Sequence, residues 1–322
     1  MSAKRVTIKD VAAKAEVTAQ TVSRVFRNKG YVSDSTRIKV LESARQLNYI
    51  PNSAAVSLRT GKAKNIAVVF DSLMNMYFSI IVDYIHREVK QCGYTLQTIY
   101  VDSHTITESI YRSAISAGAA AVISLLEPDP ELGKLVGVFG VPLFILGRHA
   151  EDEQIDFITT DDVKGGALVA ERFVADGCRT FVYAAEAFGM TCVIDRLKGF
   201  KDALNGHGYD TDVIDCAAGA EKAIADYAAQ NGYPDAIFCF SDMIAYEMLA
   251  ALRKQGVKGV RIIGYDNIRS DFTILAPLTS VGVEKAAYVR HVLSIVIGKV
   301  EGRIAGRIAE KVTPRLYEGE TG

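Results

Sequence analysis

The chain has 322 residues, 49% of them hydrophobic, enough for one large domain or two ordinary ones plus a small module. No apolar run approaches the roughly 18–20 residues that span a bilayer, and the start of the chain lacks a secretory hydrophobic stretch, so a cytoplasmic protein with no membrane partner is expected. The near-neutral total hides an asymmetry: residues 1–64 hold 13 Lys and Arg against 4 Asp and Glu, and the rest holds 24 against 34, so only the head is suited to a polyanion.

In chain order, residues 7–50 read as three short helices. Thr7 can cap a first helix over residues 8–15, with Ile8, Val11, Ala12 and Ala15 on one face. Glu16 and Val17 make a turn. Thr18 can cap a second helix, from Ala19 to about Arg27, that buries Val22 with Val25 or Phe26. Ser33 or Asp34 can cap a third, carrying Ile38, Val40, Leu41, Ala44 and Leu47, and Pro51 stops it. Beyond residue 64 the texture changes. Short apolar runs at 66–70, 95–101, 119–126 and 142–147, then at 181–185, 236–241 and 260–265, alternate with amphipathic stretches. These stretches include 80–91, 165–175, 193–207, 242–254 and 285–300. Continuous apolar strands alternating with helices predict parallel sheets covered on both faces, here in two similar lobes. Ligands of such folds bind beyond the carboxyl ends of the strands, which places a site in the cleft between lobes.

The helical head carries a long motif: Thr7-Ile8-Lys9-Asp10-Val11-Ala12, then Val17-Thr18-Ala19-Gln20-Thr21-Val22-Ser23-Arg24-Val25, then Leu47-Asn48-Tyr49-Ile50-Pro51-Asn52. It resembles the LacI/GalR family of repressors, and the rest of the chain follows more loosely. The resemblance implies a small all-α helix-turn-helix head (residues 1–51), a hinge helix and linker (52–64), and a two-lobed α/β body of the periplasmic-binding-protein type (65–322). It makes Ala19, Gln20 and Arg24 the base readers. Their chemistry agrees: Gln pairs with adenine, Arg with guanine, and Ala touches a thymine methyl. Thr7, Thr21 and Ser23 offer hydroxyls to the DNA backbone. Arg27 stands where the family usually has Asn and adds a contact of its own. Glu16 replaces the usual Gly of the turn, at a cost of about 1 kcal/mol where φ is positive. The hinge segment brings Asn52, Ala55 and Leu58 to the DNA, Leu58 as a minor-groove wedge; its few residues are too short to hold a helix alone.

In the body, Asn75-Met76-Tyr77-Phe78, Arg196-Leu197-Lys198-Gly199-Phe200, Ser241-Asp242 and Gly264-Tyr265-Asp266-Asn267 resemble the family's effector core. By that resemblance Tyr77 and Phe78 form an aromatic wall, although they fit an ordinary helix start equally well. Arg196, Ser241 and Asp266 supply hydrogen-bonding groups. Asp242 is expected to cap a helix. Arg148 ends a predicted strand and faces either the cleft or a surface ion pair. Two arginines there favour an anionic effector, so a sugar or sugar acid is the expected ligand class.

No phosphate loop, dinucleotide fingerprint or nucleophile elbow is present, the five histidines are scattered, and no enzyme, metal or cofactor is expected. The five cysteines are isolated and predict buried small hydrophobes. The expected partners are a near-palindromic double-stranded operator, a small effector and a second copy of the chain. The C-terminal residues hold no leucine heptads, so a tetramer built by them is not expected. Two other readings share these features: a constitutive DNA-binding regulator with an idle body, and a sugar-binding or sugar-modifying protein.

Overall fold

The computed structural model describes residues 6–27, 30–49, 64–272 and 275–322. The chain divides into two compact units, Met1–Ala63 and Lys64–Gly322.

The head is built from α1 (Ile8–Lys14), α2 (Ala19–Arg27) and α3 (Asp34–Gln46). Val11, Ala12, Ala15, Val22, Val25, Val40 and Ala44 form its core. Polar side chains fix the helix starts. The Thr18 hydroxyl accepts the Thr21 amide at 3.1 Å, and the Ser33 hydroxyl accepts that of Thr36 at 3.3 Å, so Ser33 rather than Asp34 caps α3. At the turn between α1 and α2, Glu16 has φ 53°, the left-handed conformation that a glycine would hold more easily. Its carboxylate meets Lys39 at 2.6 Å, an exposed pair of small value. The expected inward face of α3 is narrower than its sequence promised. Ile38 and Leu41 are 56% and 47% exposed, because α1 and α2 cover only the Val40–Ala44 stripe.

The body holds two six-stranded sheets. The first uses β1 (Asn65–Phe70), β2 (Thr95–Tyr100), β4 (Ala119–Ser124), β6 (Leu143–Leu146), β7 (Asp156–Thr160) and β13 (Ala309–Val312), in the order β13-β7-β6-β4-β1-β2, all parallel. The second uses β8 (Phe181–Ala185), β9 (Asp212–Asp215), β10 (Ala236–Cys239), β11 (Arg261–Tyr265), β12 (Thr279–Gly282) and β14 (Arg315–Tyr317), in the order β14-β12-β11-β10-β8-β9. Only β14 runs antiparallel, on β12. The two sheets therefore repeat one strand order, and both reverse direction beside their first strand. A two-stranded pair, β3 (Thr105–Ile106) with β5 (Glu127–Pro128), is added to the first lobe.

Five helices matter for the site. In the first lobe these are α4 (Met76–Gln91) and α11 (Lys285–Val300), which share one apolar core with the sheet. In the second they are α7 (Asp162–Ala175), α8 (Thr191–Gly206) and α10 (Asp242–Lys254). The chain crosses between lobes three times: after β7, after β12 and after β13. Helices α7 and α8 cross with backbones almost touching. A Cβ on Gly199 would lie 1.8 Å from the Val163 carbonyl oxygen, and one on Gly166 would lie 2.1 Å from that of Arg196. This contact explains the glycine of Arg196-x-x-Gly199-Phe200, whose phenylalanine is fully buried in the same core. Four cysteines are buried as expected, but Cys92 is exposed where it ends α4. No helix among the described residues is long and apolar enough to cross a membrane.

Candidate functional site

In the head, α2 turns Gln20 and Arg24 to solvent while Val22 and Val25 point into the core. Ala19 and Thr21 are half-buried at the capped start of the helix. Ser23 is 4% exposed, beside Val22. Thr7 is exposed at the start of α1, but its amide and hydroxyl both donate to the Asp10 carboxylate at 2.7 Å. Thr7 and Asp10 thus close a capping box at the start of α1. The backbone of Arg27 ends α2. Its side chain, and Asn52, Ala55 and Leu58, lie outside the described residues.

In the body, a cavity of about 530 Å³ opens where the carboxyl ends of the two sheets face each other. Tyr77, Phe78, Arg148, Arg196, Ser241 and Asp266 all line it. Each is placed by the end of a strand or the start of a helix. The Asn75 side chain accepts the Phe78 amide at 3.3 Å and starts α4, which aims Tyr77 and Phe78 at the cleft. Gly147, at φ 72°, turns the chain out of β6 and delivers Arg148. The Ser241 hydroxyl caps α10, accepting from the Ile244 amide at 3.4 Å. Asp242 is therefore not the cap. It is fully buried, accepts from Ser280 Oγ at 2.6 Å and the Ile268 amide at 2.8 Å, and burial pushes its carboxyl well up. It thereby ties α10 to the loop after β11.

That loop carries strain. Asp266 and Asn267 have φ 107° and 49°, and Ala187, across the second lobe's rim, has φ 49°. Such conformations cost stability and persist here at the edge of a ligand-sized cavity.

The electrostatics differ from the expectation of an anion site. Arg196 is 7% exposed and fully engaged: Nε donates to Asp162 at 3.0 Å, another nitrogen donates to the Phe240 carbonyl, and Asp266 lies at 3.8 Å. Its guanidinium also sits 3.6 Å from the centre of the Tyr265 ring. Arg148 is 8% exposed, lies 3.2 Å from Glu127, and donates to the Leu125 carbonyl. Arg196 is thus fully engaged, whereas Arg148 Nε, in the cavity lining, makes no hydrogen bond among the described residues. Burial raises the Asp266 carboxyl to about 6, against the lowering pull of Arg196.

Several lining groups escaped the sequence reading. Asp71, His104, Glu186 and Glu247 border the cavity too. Asp71 and Glu186 directly follow β1 and β8, so the strand-end rule would have found them. Glu247 sits inside α10 with no local signal. Glu127 was also missed. It belongs to the first lobe, yet it accepts the amide and hydroxyl of Thr191, the first residue of α8, at 2.9 and 3.1 Å.

Residues 7–52 match the model of bacterial regulatory proteins of the lacI family, and residues 170–321 match a periplasmic binding protein-like domain. Curated relatives include the HTH-type transcriptional repressor PurR of Photobacterium profundum, 26% identical over 96% of each chain. The protein of that name from Vibrio atlanticus is 25% identical over 98% of each chain. Among solved structures, a lac repressor dimer bound to operator and the anti-inducer ONPF is 22% identical, with a TM-score of 0.85 and 99% of each chain covered. A complex of the transcriptional regulator CelR with cellobiose is 23% identical, with a TM-score of 0.70 over 99% of this chain and 100% of that one. These structural likenesses speak for the fold.

Proposed function

Because the chain belongs to the LacI family of bacterial regulatory proteins, we propose that it is a transcriptional repressor that binds a near-palindromic operator as a homodimer and answers to a sugar-class molecule held between its lobes. Its relatives are repressors, and it is not an enzyme. One observation carries the reading. The same chain has a helix-turn-helix with Gln20 and Arg24 exposed, and a strand-end cavity where Tyr77, Phe78, Arg148, Arg196, Ser241 and Asp266 meet.

In this reading Gln20 and Arg24 pair with base edges in the major groove, and Ala19 touches a methyl group. Thr7 and Thr21 approach phosphates, while Arg27, Asn52, Ala55 and Leu58 extend the contact towards the centre of the operator. In the cleft, Tyr77, Phe78 and Phe240 offer ring faces to the C–H surface of a polyol. Asp266, Ser241 and Asn75 offer acceptors to its hydroxyls. Binding across both lobes changes the angle between them, and that angle sets the geometry passed to the hinge.

The test is selection of bound duplexes from random DNA by the full chain, with and without a panel of sugars. A two-fold symmetric motif should be enriched, and its recovery should change with at least one sugar. Failure to enrich any palindrome overturns the DNA-binding reading. An enriched motif indifferent to every sugar overturns the effector reading alone.

A further inference from the structure

We infer that Lys285 is a positioning residue of the effector site: from the first lobe it holds the second-lobe loop that carries Asp266, and with Tyr84 it forms a latch on Asp271 across the lobe boundary. The inference rests on the reading of the cleft as the effector site, but the loop can be followed without any ligand, so the two can fail separately.

Lys285 is costly where it stands. It is the first residue of α11, where the helix dipole opposes a cation, and its side chain is 1% exposed. Glu284 caps the helix by accepting the Ala286 and Ala287 amides at 3.1 and 2.6 Å, which fixes where the lysine departs. The ammonium group has three donors, and each finds an acceptor: the Asn267 carbonyl at 2.5 Å, Ser270 Oγ at 3.0 Å and Asp271 Oδ2 at 2.9 Å. None of these acceptors belongs to its own lobe. All lie in the loop between β11 and β12 of the second. A buried lysine with every donor placed on one loop is a fixture of that loop, not a surface charge.

The second tie comes from α4. The Tyr84 hydroxyl donates to Asp271 Oδ1 at 2.8 Å, so the carboxylate gives one oxygen to each of two first-lobe helices. Burial pushes the Asp271 carboxyl up, yet Lys285, Ser270 and Tyr84 together bring it below its usual range. The loop is also pinned to its own lobe: the Asn267 amide donates to Ser280 Oγ at 2.9 Å and the Ile268 amide to Asp242 at 2.8 Å. Held from both lobes, it contains the strained pair Asp266 and Asn267, and such strain persists only where the surroundings fix it. Helix α4 carries Tyr77 and Phe78 at its start and Tyr84 further along, and the loop carries Asp266 at one end and Asp271 at the other. A ligand lying between the aromatic pair and Asp266 would bridge the same two elements as the Tyr84–Asp271 bond. The latch thus presets the distance that the ligand must span, and binding does not have to bring those walls together.

The experiment is hydrogen exchange of the full chain, read in peptides covering residues 266–272, for Lys285→Met, Tyr84→Phe and a control, Lys299→Met. Lys299 stands near the other end of α11 and pairs with the buried Asp156 carboxylate at 2.5 Å within the first lobe, so its variant loses a buried ion pair without touching the loop. Exchange in the loop should rise about ten-fold in Lys285→Met and about three-fold in Tyr84→Phe, and keep the wild-type rate in Lys299→Met. Faster exchange at Asp266 itself in the phenylalanine variant shows that a hydroxyl removed at Asp271 is felt at the ligand end. Should the buried methionine prevent folding, the phenylalanine variant, which loses one hydroxyl, carries the test. Calorimetry with glucose, galactose, ribose and cellobiose supplies the second readout. A sugar that binds the wild type should bind Lys285→Met about ten-fold more weakly and Lys299→Met equally well. Unchanged exchange in the loop, an equal rise in Lys299→Met, or a sugar affinity indifferent to Lys285→Met overturns the inference and leaves the effector site standing. If no sugar binds, the sugar-class reading falls, and the exchange pattern alone decides whether the loop is latched.

Discussion

Asp266 shows how much a single residue at this site gives up. It is held at φ 107°, its carboxylate is nearly buried, and its one charged partner is shared with Asp162. Strain costs stability whatever its charge, and desolvation opposes its ionised form. Burial raises the group from 3.8 to about 6. In the unfolded chain it ionises near 3.8, so between about pH 4 and 6 the folded body keeps a proton that the unfolded chain has lost. Stability from this group is therefore present at low pH and falls as pH rises through that window, by on the order of 3 kcal/mol in total. Asp266→Asn keeps the shape, tolerates the positive φ and cannot ionise. Its unfolding free energy should lack this decline, and the variant should be the more stable at pH 7. Urea titrations of both proteins from pH 4 to 7 decide it; parallel pH profiles would show that Asp266 ionises at no cost. The residue was legible in advance because Gly264-Tyr265-Asp266-Asn267 resembles a known motif, but its charge state was not. That depends first on burial by residues distant in the chain, and to a smaller degree on Asp162, more than a hundred positions earlier. The two arginines misled in the same way. Their number was visible in the sequence, and their engagement by Glu127, Asp162 and Asp266 was not.

At the level of elements, most strands that the sequence revealed are buried on both faces, the edge strand β2 being the exception. β1, β6, β8 and β10 are continuous apolar runs with their interiors sealed. Those it missed include β7 and β12, which are interior and fully buried but polar in composition, as well as strands at edges. β9 is three-quarters exposed at a sheet edge, and β13 alternates half-buried with exposed residues. Its pairing with β7 joins Ala309 to Phe157, a partner that no local pattern can indicate. Helix packing was hidden in a similar way. The motif Arg196-x-x-Gly199-Phe200 was recognisable, while its glycine acts through Val163 on another helix. Gly199→Ala tests that contact. The new Cβ meets a carbonyl oxygen at 1.8 Å, backbone against backbone, so α8 must move as a body. Arg196 lies one turn earlier and would move with it. The variant should lose roughly 1–3 kcal/mol or more in urea unfolding and bind any effector of the cleft more weakly. A wild-type unfolding midpoint would mean that α7 and α8 part freely.

For the body as a whole, what matters is how the two lobes hold one another beyond the three chain crossings. The first lobe grips the beginning of α8, and its Tyr84 hydroxyl also donates to Asp271 at 2.8 Å. Glu127 takes the Thr191 amide and hydroxyl, and Asp195 lies 3.5 Å from His149 and 3.6 Å from Lys311. Glu127 is the pivotal member because it also balances Arg148, which borders the cavity and reaches Met190 Sδ at 3.2 Å. On the proposed reading, a ligand acceptor that draws on Arg148 would loosen its hold on Glu127, and with it the cap on α8. Glu127→Ala removes the cap and leaves a guanidinium that is 9% exposed without its counter-charge. About 2–3 kcal/mol should be lost from the body, and the radius of gyration in solution scattering should rise as the lobes swing apart. Glu127→Gln retains an acceptor for Thr191 while dropping the charge, so it should stay compact and lose less stability. If the alanine variant scatters and unfolds like the wild type, lobe closure rests on the crossings and on the other contacts, Asp195 with His149 and Lys311, and Tyr84 and Lys285 with Asp271. If the glutamine variant opens as far as the alanine one, the charge on Arg148 holds the lobes together and the cap on α8 does not.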